Sequence, residues 1–204
     1  MDDFQITTIF TDIGGVLLSN GWDRRMRHSA YERFALDPEE TDERHLQSFS
    51  VYEEGGMTLD EYLRRVVFHK NRDFTPEQFK EFMFSRSEPR TDMIDLIRAL
   101  KERHLLKVVA ICNEGRELTV YRIKKFNLDS FIDIFACSCF VHLRKPDFRL
   151  FTMAVDCAQA SLNESVFIDD RAEFVEAAEE VGIHGIHHRG FEKTLAALGG
   201  LGLS

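Results

Sequence analysis

From Met93 onward the chain alternates between two periodicities in a way that few architectures accommodate. Helix is predicted over Met93–Glu102, Glu117–Phe126, Phe148–Ala158 and Glu173–Val181, and strand over Lys107–Ile111, Ile132–Ala136, Ser165–Ile168 and Ile183–His187. Short apolar runs separated by amphipathic helices predict a parallel sheet covered on both faces, because parallel strands need crossover connections. A fifth run of the same character, Ile6–Phe10, stands apart at the front of the chain. Behind it, from about Asp23 to about Ser87, amphipathic segments alternate with polar turns such as LDPEETDE and EEGGMT, and no strand signal interrupts them. Thr58 and Thr75 are predicted helix N-caps, the second followed by Pro76 at the first helical position. A strand whose partners come only after this block makes the block an insertion. The expected organisation is an α/β core from residues 1–19 and 89–204, with an all-helical cap over residues 20–88. The glycine-rich end, LGGLGLS, predicts a frayed terminus.

Composition narrows the classes of function. No apolar run approaches the roughly 18–20 residues that span a bilayer, so no membrane segment is expected. Asp2 and Asp3 stand where a signal peptide would be basic, which predicts a cytoplasmic protein. A net charge of −9 opposes nucleic-acid binding, which needs an excess of Lys and Arg facing the phosphates. The exception, DRRMR at 23–27, reads as a solvated helix face. Cys112, Cys137, Cys139 and Cys157 form no CxxC pair and no zinc spacing, so they are expected to be free thiols. His187 and His188 read as a solvated edge, with no third ligand in view.

In an open parallel sheet, ligands bind outside the carboxyl ends of the strands, so the residues there belong together. They are Asp12-Ile13-Gly14-Gly15, Cys112-Asn113-Glu114-Gly115, Arg144-Lys145-Pro146-Asp147 and Asp169-Asp170-Arg171. Carboxylates crowded at one rim repel one another and call for a cation, and hard oxygen ligands suit Mg²⁺. Asp12 and Asp170 would hold it. A carboxylate attacking a phosphate ester also faces anionic repulsion, which a metal and Lys145 can offset. Asp12 would then bind the metal through one oxygen and attack phosphorus with the other.

The stretches FTDIGGVL, VVAICNEG, LRKPDFRLF and SVFIDDRAEFVEAAEEVGI together resemble the four motifs of the haloacid dehalogenase superfamily, in the branch with a helical cap inserted after motif one. The resemblance covers nearly the whole chain and implies a Rossmann-like core. It implies Asp12 as nucleophile, Lys145 as the phosphate-binding lysine, and Asp170 as direct metal ligand with Asp169 in a supporting shell. The backbone carbonyl of Gly14 would be a further ligand, and the amides of Ile13 and Gly14 would be open to phosphate oxygens. The implied cofactor is Mg²⁺ and the implied partner a small phosphorylated metabolite. Monomer and homodimer both stay open.

Two positions depart from the pattern. Where most phosphatases of the family carry a second aspartate that shuttles the proton, this chain has Gly14, which predicts slow turnover of alkyl esters. Glu54 or His28 from the cap are candidate substitutes. Cys112 replaces a hydroxyl that would bind phosphate, so binding would lean on Asn113 and Lys145. Trp22, Arg24 and Arg25 are expected to line the cap side of the pocket. The leading expectation is a phosphatase working through an aspartyl-phosphate. The alternatives are a binding module that has lost turnover, and a 2-haloacid dehalogenase, which would have little use for Asp169-Asp170.

Overall fold

The structure, a computed structural model, describes residues 5–204. Asp2 and Asp3, on which the cytoplasmic expectation drew, lie outside the described residues. Five parallel strands make one sheet: β1 (Thr8–Thr11), β2 (Lys107–Cys112), β3 (Ile134–Cys137), β4 (Ser165–Asp169) and β5 (His184–His187), in the spatial order β3-β2-β1-β4-β5. β1 is central and wholly buried, which is why its residues are apolar or threonine rather than alternating. Thr11 pairs with Ala110 of β2 and with Ile168 of β4, so β2 and β4 run on two residues and one residue past the end of β1. The chain leaves β1 towards β2 on one side and returns to β4 on the other, which opens a crevice at the end of β1. Asp12 stands there, its amide donating to the Ile168 carbonyl at 2.9 Å.

Between β1 and β2 lie six helices: α1 (Arg24–Arg33), α2 (Pro38–Leu46), α3 (Phe49–Glu53), α4 (Leu59–Val66), α5 (Pro76–Ser85) and α6 (Thr91–His104). The remaining five are α7 (Arg116–Lys125), α8 (Ser138–Val141), α9 (Phe148–Ala158), α10 (Ala172–Glu180) and α11 (Phe191–Gly200). Successive strand residues point to opposite faces, and the core divides accordingly. Ile9, Val108 and Val166 pack with Met93 and Ile97 of α6 and Leu198 of α11. Phe10, Val109 and Phe167 pack with Leu150 and Phe151 of α9 and Phe174 of α10.

The first five helices gather round a separate aromatic cluster in which Tyr31, Tyr52, Tyr62 and Phe79 are buried. Thr58 and Thr75 both close capping boxes, with Glu61 and Gln78, as their spacing predicts. The two chain passages joining this block to the sheet run side by side. The Ser19 amide donates to the Glu88 carbonyl at 2.8 Å, the Ser19 hydroxyl donates to the Arg86 carbonyl at 3.0 Å, and Leu18 bridges Pro89.

Three expectations need correction. The C-terminal stretch is not frayed: α11 runs to Gly200, and Leu198 and Leu203 are buried. Its glycines serve as a stop, because Gly202 takes a φ of +83° and lets the Leu203 amide return to the Leu198 carbonyl at 3.0 Å. The 23–27 stretch is only partly a solvated face. Asp23 caps α1, and Arg27 turns inward to Asp42 and the Trp22 carbonyl. His188 is buried and bonded through Nδ1 to the Thr194 hydroxyl at 2.8 Å, so it is no solvated edge. Among the described residues, no helix is long and apolar enough to cross a membrane.

Candidate active site

Lys145 organises the rim. Its side chain has no exposure, and its Nζ lies 2.6 Å from Asp169 Oδ2, 3.2 Å from Asp12 Oδ1 and 2.9 Å from the Ile111 carbonyl. Burying an ammonium is costly unless it is paired and hydrogen-bonded, and here two hydrogen bonds and a second ion pair, to Asp12, meet that need. Burial opposes the charge, but Asp12 and Asp169 outweigh it and push the lysine above its ordinary range. Asn113 fixes the lysine's backbone from both sides: its Nδ2 donates to the Lys145 carbonyl at 2.9 Å, and its Oδ1 accepts from the Lys145 amide at 2.8 Å. Asn113 also lines the cavity above the rim.

Asp12, Asp169 and Asp170 each offer an oxygen within 4.8 Å of the others. The Asp12 carboxyl is raised to about 7 on balance: burial pushes it up, Lys145 pulls it down, and Asp169 and Asp170 push it up. Asp12 Oδ1 accepts from the Ile13 amide at 2.8 Å and faces Lys145. Among the described residues no hydrogen bond ends on Oδ2, so that oxygen is open to the cavity. The Ile13 amide, expected to serve phosphate, is thus taken by the carboxylate beside it; the Gly14 amide and carbonyl keep no protein partner among the described residues.

Asp169 and Asp170 divide their work. Asp169 is fully buried and its two oxygens are taken, Oδ1 by the Arg171 amide at 2.9 Å and Oδ2 by Lys145. Asp170 lies against the backbone of Gly15: a Cβ there would fall 2.1 Å from its Oδ2, and Gly15 has a φ of +80°. Only glycine combines that torsion with that approach. Asn20, which sequence reasoning did not single out, donates to Asp170 Oδ2 at 3.3 Å. An outward carboxylate, a free backbone carbonyl beside it and an unengaged Asp12 oxygen form an all-oxygen donor set that fits Mg²⁺.

Above the rim lies a cavity of about 290 Å³. Asp12, Lys145, Asp170 and Cys112 line it from the sheet, and Trp22, Arg24, Tyr52 and Glu53 from the helical block. The Cys112 thiol is pushed well up by the neighbouring Cys137 thiol and by burial, which makes it inert as a nucleophile. Trp22 Nε1 donates to the Tyr62 hydroxyl at 2.9 Å, which also meets His45 Nδ1 at 2.8 Å. Burial and the nearby Arg27 lower His45 to about 4, so its ring is neutral at neutral pH. Arg24 lines the cavity as expected, but Arg25, His28 and Glu54 do not. Glu54 uses its carbonyl to hold the His142 ring at 2.6 Å, and its neighbour Glu53 faces inward instead. No periodicity separates two adjacent glutamates at a helix end, so the sequence carried no signal for the choice.

A parallel sheet carrying a nucleophile-type aspartate, a buried lysine and a paired acidic turn at its carboxyl rim defines a hydrolase of the haloacid dehalogenase type. Residues 6–182 match the family model for haloacid dehalogenase-like hydrolases, and the chain belongs to that family. It is 28% identical over 151 residues to flavin mononucleotide hydrolase 1 of Arabidopsis thaliana, covering 74% of this chain and 61% of that protein. It is 30% identical over 99 residues to the sesquiterpene phosphatase astK of Aspergillus oryzae, covering 48% of this chain and 50% of that one. The chain thus spans about half to three fifths of the length of these relatives. Among solved structures it resembles the HAD family enzyme bt-2542 of Bacteroides thetaiotaomicron in complex with magnesium and inorganic phosphate. That match has a TM-score of 0.72 and 21% identity, and it covers 88% of this chain and 92% of the other.

Proposed function

We propose that this hydrolase is a Mg²⁺-dependent phosphatase of a small phosphorylated metabolite, working through an aspartyl-phosphate on Asp12. The observation that carries the reading is the meeting of Asp12, Lys145 and Asp170 at one rim, with Asp12 3.2 Å from the lysine and within 4.8 Å of the other carboxylates. Asp12, Asp170 and the Gly14 carbonyl would hold the metal, and Asp169 would steady Lys145 from behind. The metal's part is to offset the repulsion between an anionic nucleophile and an anionic ester. Lys145 contributes a fixed positive charge 3.2 Å from Asp12 Oδ1, which offsets the repulsion between the carboxylate and the approaching ester. The Gly14 amide is free to meet a phosphate oxygen.

Residues 20–88 act in this reading as the cap over a core of 1–19 and 89–204, with Trp22 and Arg24 facing the part of the substrate that does not react. The named activities of the two relatives support the phosphatase over the dehalogenase, as does an acidic turn that halide displacement would not use. The protein is expected to act in the cytoplasm as a monomer or homodimer. The test is phosphate release from p-nitrophenyl phosphate with Mg²⁺ present: turnover should vanish with chelator and with Asp12→Asn, and equal rates for wild type and Asp12→Asn reject the nucleophile. Saturable phosphate binding without turnover would instead identify the binding module that Gly14 favours.

A further inference from the structure

Gly14 leaves the reaction without a proton carrier on the first strand, and the cavity wall offers a replacement from the opposite side. Besides Asp12 and Asp170, three acids line the cavity. Asp23 is spent on the cap of α1, its Oδ1 accepting from the Met26 amide at 2.8 Å. Glu114 is locked to the buried Arg122 and to the Thr119 hydroxyl. Glu53 differs: Oε2 accepts from Arg144 Nη2 at 2.6 Å, and no hydrogen bond among the described residues ends on Oε1. We infer that Glu53, reaching in from the helical block, is the general acid and base that replaces the missing aspartate, an inference that rests on the phosphatase reading.

Several contacts hold Glu53 in place. Its carbonyl accepts from the Ser138 hydroxyl at 2.6 Å, and the Glu54 carbonyl meets His142. Gly55 approaches Cys139 so closely that a Cβ would lie 2.4 Å from the Cys139 carbonyl oxygen. Arg144, which grips the carboxylate, is bonded directly to Lys145, so the glutamate is referenced to the same peptide as the phosphate-binding ammonium. The charged groups facing it are Arg144 and Arg171, which favour the anion, and Glu114, which opposes it. Burial outweighs them and raises the carboxyl above its ordinary range, the direction a proton donor needs. His45 on the same wall is bonded to Tyr62 and stays neutral.

In the first step an Asp12 oxygen bonds to phosphorus, the ester P–O bond breaks, and protonated Glu53 gives its proton to the departing oxygen, so the alcohol leaves neutral. In the second, Glu53 takes a proton from water as the water oxygen bonds to phosphorus. The bond from phosphorus to Asp12 breaks, phosphate leaves, and Glu53 is protonated again.

The experiment compares the single-turnover release of alcohol from an alkyl ester, glycerol 2-phosphate, with that of p-nitrophenol from p-nitrophenyl phosphate, whose leaving group needs no proton; the hydrolytic second step is common to both. Glu53→Gln keeps an acceptor for Arg144 and should lower that release from the alkyl ester by about 10²-fold or more while moving the aryl release only a few fold. Adding Gly14→Asp should restore the alkyl rate, since a Cβ at 14 meets nothing nearer than Asn20 Oδ1 at 3.4 Å. An equal loss on both esters makes Glu53 a strut between block and sheet and overturns the inference, while the Asp12→Asn result judges the phosphatase reading by itself. Should Glu53→Gln not fold, the wild-type pH profile decides: single-turnover release from the alkyl ester should fall on an alkaline limb that release from the aryl ester lacks, and matching profiles overturn the inference.

Discussion

Lys145 and Gly15 show how much of the site hangs on single residues. Lys145→Met would leave Asp169 fully buried without its cation, and breaking a buried pair from one side costs about 3–5 kcal/mol. Urea unfolding should show that loss, and Asp169→Asn in the same chain should recover part of it, because the stranded charge is then gone. Gly15→Ala should act on the metal rather than the fold. The left-handed torsion costs alanine about 1–2 kcal/mol, but the new methyl must displace the Asp170 carboxylate. Calorimetric titration is expected to show Mg²⁺ binding to wild type and none to the variant. Asp12, Lys145, Asp169 and Asp170 were legible in the sequence because each follows a strand run in a fixed order. Asn20, Tyr52 and Glu53 were not, since they reach the cavity from loops and helix ends whose direction is set by packing.

At the scale of elements, the wall built from α2, α3 and α4 predicts a pH dependence. His45 has a folded pKa of about 4 against an ordinary 6.5. Between those values the unfolded chain binds the extra proton, so stability is complete above about 6.5 and declines as the pH falls. The decline between pH 7 and pH 5 should be about 1–2 kcal/mol, measured by denaturant unfolding, and His45→Gln should flatten it. The strands and helices of the sheet were readable from periodicity, and α9 falls on Phe148–Ala158 as expected. β1 begins two residues later than its apolar run suggests, because Ile6 is buried in the core just before the ladder starts. The short helix α8 and the terminal helix α11 escaped, the first for want of a full period and the second because glycines that end a helix resemble glycines that prevent one.

For the whole molecule, the fit of the helical block against the sheet domain is the quantity to perturb. Gly115 has an ordinary φ of −66°, so alanine is tolerated by the backbone, yet its Cβ would fall 1.9 Å from the Tyr52 ring. Gly115→Ala should therefore fold normally but hold the block away from the rim. The expected outcome is a fall in kcat/KM on the order of 10²-fold, the scale of a misplacement of about 1 Å, with an increased radius of gyration in solution scattering. The adjacency of Leu18 and Pro89 has a broader meaning. Entry and exit share one doorway, so a lobe of another size or shape can be spliced in there, or the gap closed with a tight turn, without rerouting a strand. In the proposed reading, selectivity would change by exchange of that module while the chemistry beneath it stays intact.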